Sequence, residues 1–344
     1  MQKNRRVSNI ELLRILSIFL ITMHHLVVHG SNACGYLTNY SFEQGTLGII
    51  LNSFCIIGVN VFILISGWFG IKNPIKATIH LIVDFVILST LMNIGLYLHQ
   101  GNLGELNIIE TYKFKYLWFL YDYIILALLS PFLERLIKSM SLKTYTIFIL
   151  IITFINVVIC YGLELVNSNG YGLLNFLYLY FVARYLRRSF EIGVLRRYSS
   201  SFFAILYIGL SLLAAGCYFL LAYMGFGESL GGVRFFSYNN PIFILSSICL
   251  LLSFSIVKPF YSNMVNVMAT GVFSVYILQS SMQLCPYRVL LSKLIYSDYS
   301  YIGLFVLGIS ILIVFSITGV LVEKIWSFIE SKSKKILNIW NEIN

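Results

Sequence analysis

Ten apolar runs dominate the sequence, and nearly all are long enough to cross a bilayer as a helix, which takes about 20 residues. Apolar residues make up 58% of the 344 residues and charged residues 11%, whereas soluble domains carry about 25% charged residues. The chain is therefore predicted to be an all-α polytopic integral membrane protein, with a single membrane domain over residues 1–344. The predicted spans are roughly 10–30, 46–69, 77–98, 116–133, 144–163, 171–186, 201–223, 240–257, 267–285 and 301–322.

The positive charges predict how these spans are oriented. With the amino terminus inside, 19 of the 24 Lys and Arg residues fall in cytoplasmic segments, and the other five, Arg288 among them, fall outside. Because cytoplasmic loops are enriched in Lys and Arg, both termini are expected in the cytoplasm of a multi-pass protein of the cell membrane. Residues 323–344 are predicted to form a basic amphipathic tail on anionic lipids. Topology accounts for the net charge of +10, so no nucleic acid partner is predicted.

Two ionisable residues, Arg14 and His25, lie inside the first span. At about 100° per residue they fall within about 20° of each other around a helix and about 16 Å apart along its axis, so they share one face. Glu11 is placed to pair with Arg14 as an i,i+3 neighbour, and His24 adjoins His25. Intramembrane ionisable groups usually face a protein interior or a water cavity, so this face is predicted to be functional. The alternative is that Arg14 snorkels to the surface and His25 only hydrogen-bonds between helices.

Two acidic residues also fall inside predicted spans. Asp84 follows His80 by one helical turn, so the two are placed to form a buried i,i+4 pair. Asp122 lies in the fourth span and is a candidate partner for Arg14 or for His25. A carboxylate beside an imidazole raises its basicity and fixes its tautomer, as a general base requires. The sequence leaves open whether Asp84, Asp122 or neither lies beside His25.

The second span carries polar residues near its end and two lysines just beyond it. Asn60, Ser66 and Gly67 lie within the span or close it, and Lys72 and Lys76 follow. Two lysines one helical turn apart are suited to a phosphate-bearing ligand at the cytoplasmic mouth. The alternative is that these lysines only set the topology.

The six cysteines stand in no CxxC motif and in no Cys/His ligand spacing. Four of them fall within apolar runs, where cysteine behaves as a small apolar residue. The sequence therefore predicts no metal site and no bound cofactor.

Three segments together resemble the integral membrane acyltransferases (acyltransferase family 3). The run IELLRILSIFLITMHH resembles the opening signature of that family, and NVFILISGWF resembles its second-span motif. KYLWFLYDYIILALLSPFL, which contains Trp118, is similar to its fourth-span motif. The resemblance implies an enzyme that moves an acyl group, usually acetyl, from cytoplasmic acyl-CoA to a hydroxyl of an extracytoplasmic or lipid-linked glycan.

The resemblance also implies roles for individual residues. His25 is expected to be the catalytic base, and Arg14 is expected to organise the path of the acyl donor. Ser66 and Gly67 are expected to shape the substrate cavity. Trp118 is expected to contact substrate, although an interfacial aromatic belt is the ordinary role of such a ring.

At two places the sequence departs from the family pattern. Lys72 and Lys76 replace a basic pair that many members carry as arginines. Lysine keeps the positive charge, but it lacks the planar guanidinium that donates two parallel hydrogen bonds. Gln279 stands in the ninth span where relatives commonly carry histidine. Glutamine forms hydrogen bonds but does not titrate, so any acid–base duty at that position is absent from this chain.

Acyl transfer also fits the residues on chemical grounds, because it needs a base for the hydroxyl proton and a donor near the developing oxyanion. We therefore predict an O-acetyltransferase that uses acetyl-CoA as a substrate. The alternative is a transporter or flippase for a lipid-linked sugar, with the ionisable residues as substrate or proton sites. A glycan polymerase or ligase is disfavoured because the chain lacks a large outer loop. The acceptor glycan, the exact acyl group and the oligomeric state are left open.

Overall fold

The structure is a computed structural model that describes residues 7–31, 42–101, 117–166, 169–225 and 232–343. For residues 42–44, 100, 232, 233, 329 and 332–343 it describes the backbone only, so the predicted amphipathic character of the tail falls largely outside the described side chains. Within the described ranges every regular element is a helix, which confirms the predicted all-α class.

The described ranges form twelve labelled helices and four shorter or irregular elements. Two helices continue as wider π-turns, α1 through His25–Gly30 and α6 through Ile155–Gly162, and short helical turns occupy Leu195–Arg197 and Gly232–Phe235. The helices are α1 Ser8–His24, α2 Phe42–Cys55, α3 Gly58–Phe69, α4 Pro74–Gln100, α5 Trp118–Ser139, α6 Leu142–Phe154, α7 Leu173–Glu191, α8 Ser200–Tyr223, α9 Pro241–Ser255, α10 Asn263–Thr270, α11 Val272–Ser280 and α12 Cys285–Ile343.

Six helical segments in the described ranges are long and apolar enough to cross a membrane, which makes the chain a multi-pass membrane protein. They are Ser8–Gly30, Gly45–Phe69, Pro74–His99, Leu142–Gly162, Ser200–Tyr223 and Cys285–Phe328. The other four predicted spans coincide with α5, α7, α9 and the pair α10–α11, which are shorter or more polar. The count of ten spans and the cytoplasmic position of both termini stay predictions.

Helix α3 lies at the centre of the bundle, in contact with α1, α7 and α9. Ten of its 12 residues are buried, and a helix that is apolar on every side belongs in such an interior. Glycine brings it close to its neighbours: a Cβ on Gly67 would lie 2.7 Å from the Cβ of Ala183 and 2.9 Å from the carbonyl oxygen of Tyr180. Small residues let membrane helices approach closely. Gly67 therefore packs against α7, and the cavity-shaping role that the resemblance implies stays a prediction.

The ninth predicted span, 267–285, is not one continuous helix. Helix α11 ends at Ser280 and α12 begins at Cys285, with the Ser281 hydroxyl accepting a hydrogen bond from the backbone N–H of Leu284 at 3.2 Å. A helix break within a membrane frees backbone groups, which must be satisfied by protein or line a cavity. One of them, the carbonyl of Gln279, accepts a hydrogen bond from Arg288 at 2.9 Å.

Helix α12 folds back on itself as a hairpin. Ser300 has φ 56° and ψ −145°, and it divides the helix into a first arm, 285–299, and a second arm, 301–343. The rings of Tyr296 and Tyr301 lie 5.2 Å apart, and a Cβ on Gly303 would lie 2.6 Å from the side chain of Ile295. The two arms therefore run antiparallel, and the second arm begins where the tenth span is predicted.

Gly67→Ala is expected to lower the melting temperature of the protein in detergent. The new methyl group would meet a backbone carbonyl that cannot turn aside, and overpacking of this kind costs about 1 to 3 kcal/mol. Gly95→Ala in α4 is the matched control, because a Cβ there meets nothing within 4 Å and alanine is the better helix former. Equal melting temperatures for the two variants would contradict the close contact between α3 and α7.

Candidate functional site

A cavity of about 190 Å³ lies between α1, α3, α5, α11 and the first arm of α12. Its polar wall consists of His25, His29, Ser280, Cys285 and Arg288. Aromatic residues form most of the remaining lining: Phe62, Trp118, Phe119, Tyr238, Phe273 and Tyr276. An interior cavity with apolar walls and a few convergent polar groups is the usual form of a small-molecule site.

His25 lies at the point where α1 changes into π-turns, a feature found often at functional sites. Its Nδ1 is 3.1 Å from Nη1 of Arg288. Arginine offers only hydrogen-bond donors, so Nδ1 of His25 must be the acceptor. The imidazole is therefore neutral in this arrangement and carries its hydrogen on Nε2.

Arg288 is predicted from topology to be an outer charge, but the structure places it at the cavity wall. Its Nη1 also donates to the carbonyl of Gln279 at 2.9 Å, and its Nη2 donates to the sulfur of Cys285 at 3.4 Å. Its buried Nε has no partner in the described part of the chain. One feature of the sequence indicates this position. Pro286 is typical of the first turn of a helix, so it predicts that a new helix starts just before Arg288.

His24 and His29 complete a cluster of three imidazoles around His25. The ring centroid of His25 lies 5.8 Å from those of both His24 and His29. His24 is buried and its Nδ1 lies 2.7 Å from the side-chain oxygen of Asn52, so it ties α1 to α2. His29 lines the cavity, although no sequence motif singles it out.

Arg14 lies away from this cavity and pairs with Glu11. The two side chains form an ion pair of 2.7 Å, with 29% of the Arg14 side chain and 9% of the Glu11 side chain exposed. The predicted i,i+3 pair is confirmed. The proposed role of Arg14 on the path of the acyl donor stays a prediction.

Asp84 and Asp122 bind other partners than His25. Nδ1 of His80 lies 3.2 Å from Asp84, which confirms the predicted i,i+4 pair. The carboxylate of Asp122 accepts a hydrogen bond from the backbone N–H of Leu173 at the first residue of α7, where negative charge is favoured. The neighbour of His25 among the described residues is the guanidinium of Arg288 rather than either acid.

The start of α4 is bound to the second arm of α12. Nε2 of His80 lies 2.8 Å from Glu323, and Nζ of Lys76 lies 2.6 Å from Glu330. His80, Asp84 and Glu323 offer the donor types that a metal ion takes, but both ring nitrogens of His80 already face carboxylates. The geometry therefore supports a structural role, in which these ion pairs hold α4 against the second arm of α12.

Lys72 and Lys76 do not lie on one helix, which the predicted arrangement for binding phosphate requires. Helix α4 begins at Pro74, and the preceding Asn73 is left-handed with φ 49°. Lys72 therefore lies outside the helix, in an exposed position, and is not one helical turn from Lys76. Proline at the first helical position is the physical reason, because it sets where the helix starts.

Asn60 and Ser66 hold helices together. Nδ2 of Asn60 donates to the carbonyl of Tyr238 at 2.7 Å, and Oδ1 of Asn60 accepts from Asn175 at 3.4 Å. The hydroxyl of Ser66 lies 3.0 Å from that of Tyr123. These contacts join α3 to α5, α7 and the segment before α9. Asn60 and Ser66 therefore hold in place elements that carry residues of the cavity lining.

Trp118 forms part of the cavity wall. Its ring lies 4.7 Å from that of Tyr171 and 5.7 Å from that of Tyr238. Trp118 therefore packs within an aromatic cluster and lines the cavity, and its contact with substrate stays a prediction.

Arg14→Gln is expected to destabilise the protein, because it leaves the nearly buried carboxylate of Glu11 without its partner. The cost should be below the about 3 to 5 kcal/mol of a fully buried pair, since Arg14 is partly exposed. The double variant Glu11→Gln/Arg14→Gln should recover part of the lost stability. A thermal-unfolding double-mutant cycle measures this coupling, and additive losses would show that the two side chains do not interact.

The comparisons with known proteins agree with the resemblance in the sequence. The family model of an acyltransferase domain (acyltransferase family 3) matches residues 7–322. No curated protein and no solved structure matches the chain. Because the matched region contains all the residues of the cavity and nearly the whole chain, the protein belongs to this family of membrane acyltransferases.

Proposed function

We propose that this membrane acyltransferase moves an acetyl group from cytoplasmic acetyl-CoA to a hydroxyl of a cell-surface or lipid-linked polysaccharide. The observation that supports the proposal most strongly is the contact of His25 with Arg288 at the wall of an interior cavity of about 190 Å³. An imidazole and a guanidinium supply the two groups that acyl transfer requires, a proton acceptor and a donor for the oxyanion.

In the reaction the acceptor hydroxyl oxygen attacks the thioester carbonyl carbon. A C–O ester bond forms, the C–S bond breaks, and the hydroxyl proton passes through His25 to the thiolate of CoA. His25 therefore acts first as base and then as acid, a role worth about 10² to 10⁴ in rate. Direct transfer and transfer through a covalent enzyme intermediate form and break the same bonds overall.

Arg288 controls when His25 acts. While the guanidinium donates to Nδ1, that lone pair is occupied and Nε2 carries a hydrogen, so the ring has no free site for a proton. A thioester carbonyl that binds Arg288 would draw the guanidinium away and release Nδ1. The acyl donor therefore binds before the base becomes active.

Arg288 is also our candidate for stabilising the oxyanion. Its Nε has no partner among the described residues, and its Nη atoms lie at the cavity wall beside His25. The first turn of α12 adds the positive end of a helix dipole at the same place. Charge that develops on the carbonyl oxygen during attack would be stabilised by both.

The aromatic wall suits a sugar acceptor. Trp118 and Tyr238 both line the cavity, and such rings combine a flat apolar face with a polar edge. A sugar ring held against this wall would direct a hydroxyl towards His25.

The alternative, a transporter or flippase, is based on a path of ionisable residues through the membrane, and the structure does not bring these residues together. Arg14 pairs with Glu11, Asp84 with His80, and Asp122 with the start of α7. Of the four ionisable residues that would have formed a substrate or proton path, His25 alone lines the described cavity.

His25→Ala is expected to abolish transfer of label from acetyl-CoA into surface polysaccharide in membranes that express the variant. The reason is the loss of the proton acceptor, for which the remaining cavity offers no replacement in the same position. His99→Ala is the matched control, because His99 is exposed at the end of α4. Transfer retained by His25→Ala at matched expression would refute the proposed base, and loss of glycan export without any transfer in the wild type would favour transport.

Arg288→Gln is expected to lower the rate of transfer by about 10² or more, the usual cost of removing an oxyanion donor. Arg288→Lys should recover little, because a point charge does not reproduce the planar fork. The control is Arg234→Gln, which removes an arginine that binds Glu164 and the carbonyl of Gly162. Transfer by Arg288→Gln within twofold of the wild type, with kcat and KM both measured, would exclude this role.

A further inference from the structure

A second cavity, of about 130 Å³, lies on the other side of Arg288 between the end of α11 and the two arms of α12. Its apolar walls come from both arms, with Leu291 on the first arm and Leu307, Ile311 and Phe315 on the second. Gln279, Arg288 and Tyr287 are the lining residues with hydrogen-bonding side chains, and all three lie near the helix break. Arg288 thus belongs to the walls of both cavities.

The side-chain amide of Gln279 is buried and forms no hydrogen bond within the described part of the chain. Gln279 is 1% exposed, and neither its Nε2 nor its Oε1 has a hydrogen-bond partner in the described part of the chain. Leaving such a group unpaired costs about 1 to 3 kcal/mol. With the unpartnered Nε of Arg288, two residues of the cavity lining carry buried donors that have no acceptor in the described part of the chain.

We propose that this second cavity is an acyl pocket, which receives the hydrocarbon chain of the donor thioester while Gln279 and Arg288 bind its carbonyl oxygen. The proposal rests on the proposed function, since it places the donor of that reaction. An acyl group has the matching chemistry, one strong acceptor followed by an apolar tail. Sugars and phosphates do not, because their several polar groups would lose water against apolar walls.

The position of the pocket is consistent with transfer at His25. The guanidinium that would hold the carbonyl oxygen has its Nη1 3.1 Å from Nδ1 of His25. The carbonyl carbon is then within reach of a hydroxyl in the first cavity, while the chain points away into the second. The acceptor and the acyl chain approach from opposite sides of Arg288.

The size of the pocket predicts a donor range that extends beyond acetyl. An apolar cavity of about 150 Å³ holds a benzene ring, so about 130 Å³ accommodates an acyl chain of roughly four to six carbons. One lining residue, Leu291, is 47% exposed, so the wall of the pocket reaches the apolar surface of the bundle. A lipid tail is therefore the competing occupant, and it differs from the donor chain because its effect would not depend on the acyl-CoA supplied.

The test compares acetyl-CoA, butyryl-CoA and hexanoyl-CoA as donors for the wild type and for Ile311→Trp, which fills the pocket. The wild type is expected to use all three, and Ile311→Trp is expected to lower transfer from hexanoyl-CoA at least tenfold more than it lowers transfer from acetyl-CoA. Ile309→Trp is the matched control, because Ile309 is 37% exposed on the same arm and does not line the pocket. It should keep the wild-type ratios between donors.

Each remaining outcome overturns one specific claim. Acetyl transfer by a wild type that rejects the longer donors, or an equal change for every donor in Ile311→Trp, would overturn the acyl pocket; the equal change would assign the cavity to a lipid tail. A wild type that transfers none of the three donors would instead refute the proposed function.

Gln279→Leu separates a role in binding the carbonyl from a structural role. Because it removes an unpartnered buried amide, it should leave the melting temperature unchanged or raise it. If Gln279 binds the thioester carbonyl, transfer from all three donors should fall by about tenfold or more, through kcat rather than KM. Unchanged kcat in a stable Gln279→Leu protein would remove Gln279 from the proposal.

Discussion

The hydrogen bond from Arg288 to His25 depends on the break in the ninth span. If α11 continued without interruption, the carbonyl of Gln279 would bind a backbone N–H one turn later, and the helix would carry Arg288 away from His25. The break frees that carbonyl, and Arg288 returns from the first turn of α12 to satisfy it at 2.9 Å. A guanidinium inside a membrane costs about 2.5 to 3.5 kcal/mol on insertion scales, and the freed carbonyl, His25 and Cys285 provide the acceptors that offset it.

The hairpin of α12 keeps this arrangement in place. Its first arm lies so close to the π-turns of α1 that a Cβ on Gly30 would be 2.5 Å from the hydroxyl of Ser292. Its second arm packs closely on α1, where a Cβ on Gly308 would be 2.6 Å from the sulfur of Met23. At the far end, Glu323 and Glu330 bind His80 and Lys76 of α4. The two arms thus fix Arg288 relative to His25 through packing at both ends of the bundle.

Local features were predictable from the sequence, and contacts between distant segments were not. Hydropathy and helical spacing are sufficient to predict the apolar helices, the pair of Glu11 with Arg14 and the pair of His80 with Asp84, because each depends on residues at most a few positions apart. The contact of His25 with Arg288 joins residues 263 positions apart, and no periodicity encodes it. The positive-inside rule assigns Arg288 to an outer segment, but it treats every charge beyond a span as a loop charge and so does not predict that Arg288 lines a cavity. Residue type alone makes Asp84 and Asp122 candidate partners of His25, but their positions on α4 and α5 direct them to His80 and to the start of α7.

With Arg288 in the lining of both cavities, the proposed mechanism would have an order that protects the donor. A thioester in a wet cavity beside a free base would be hydrolysed, so an enzyme that holds acyl-CoA benefits when the base is unavailable until the donor is seated and water is excluded. Here the same guanidinium occupies the lone pair of His25 in the described state and faces the pocket proposed for the acyl chain. Seating the donor would therefore perform two tasks in one movement, because it binds the carbonyl oxygen and releases Nδ1. The acceptor hydroxyl, arriving from the aromatic side, would then meet an active base only in the presence of a bound acyl group.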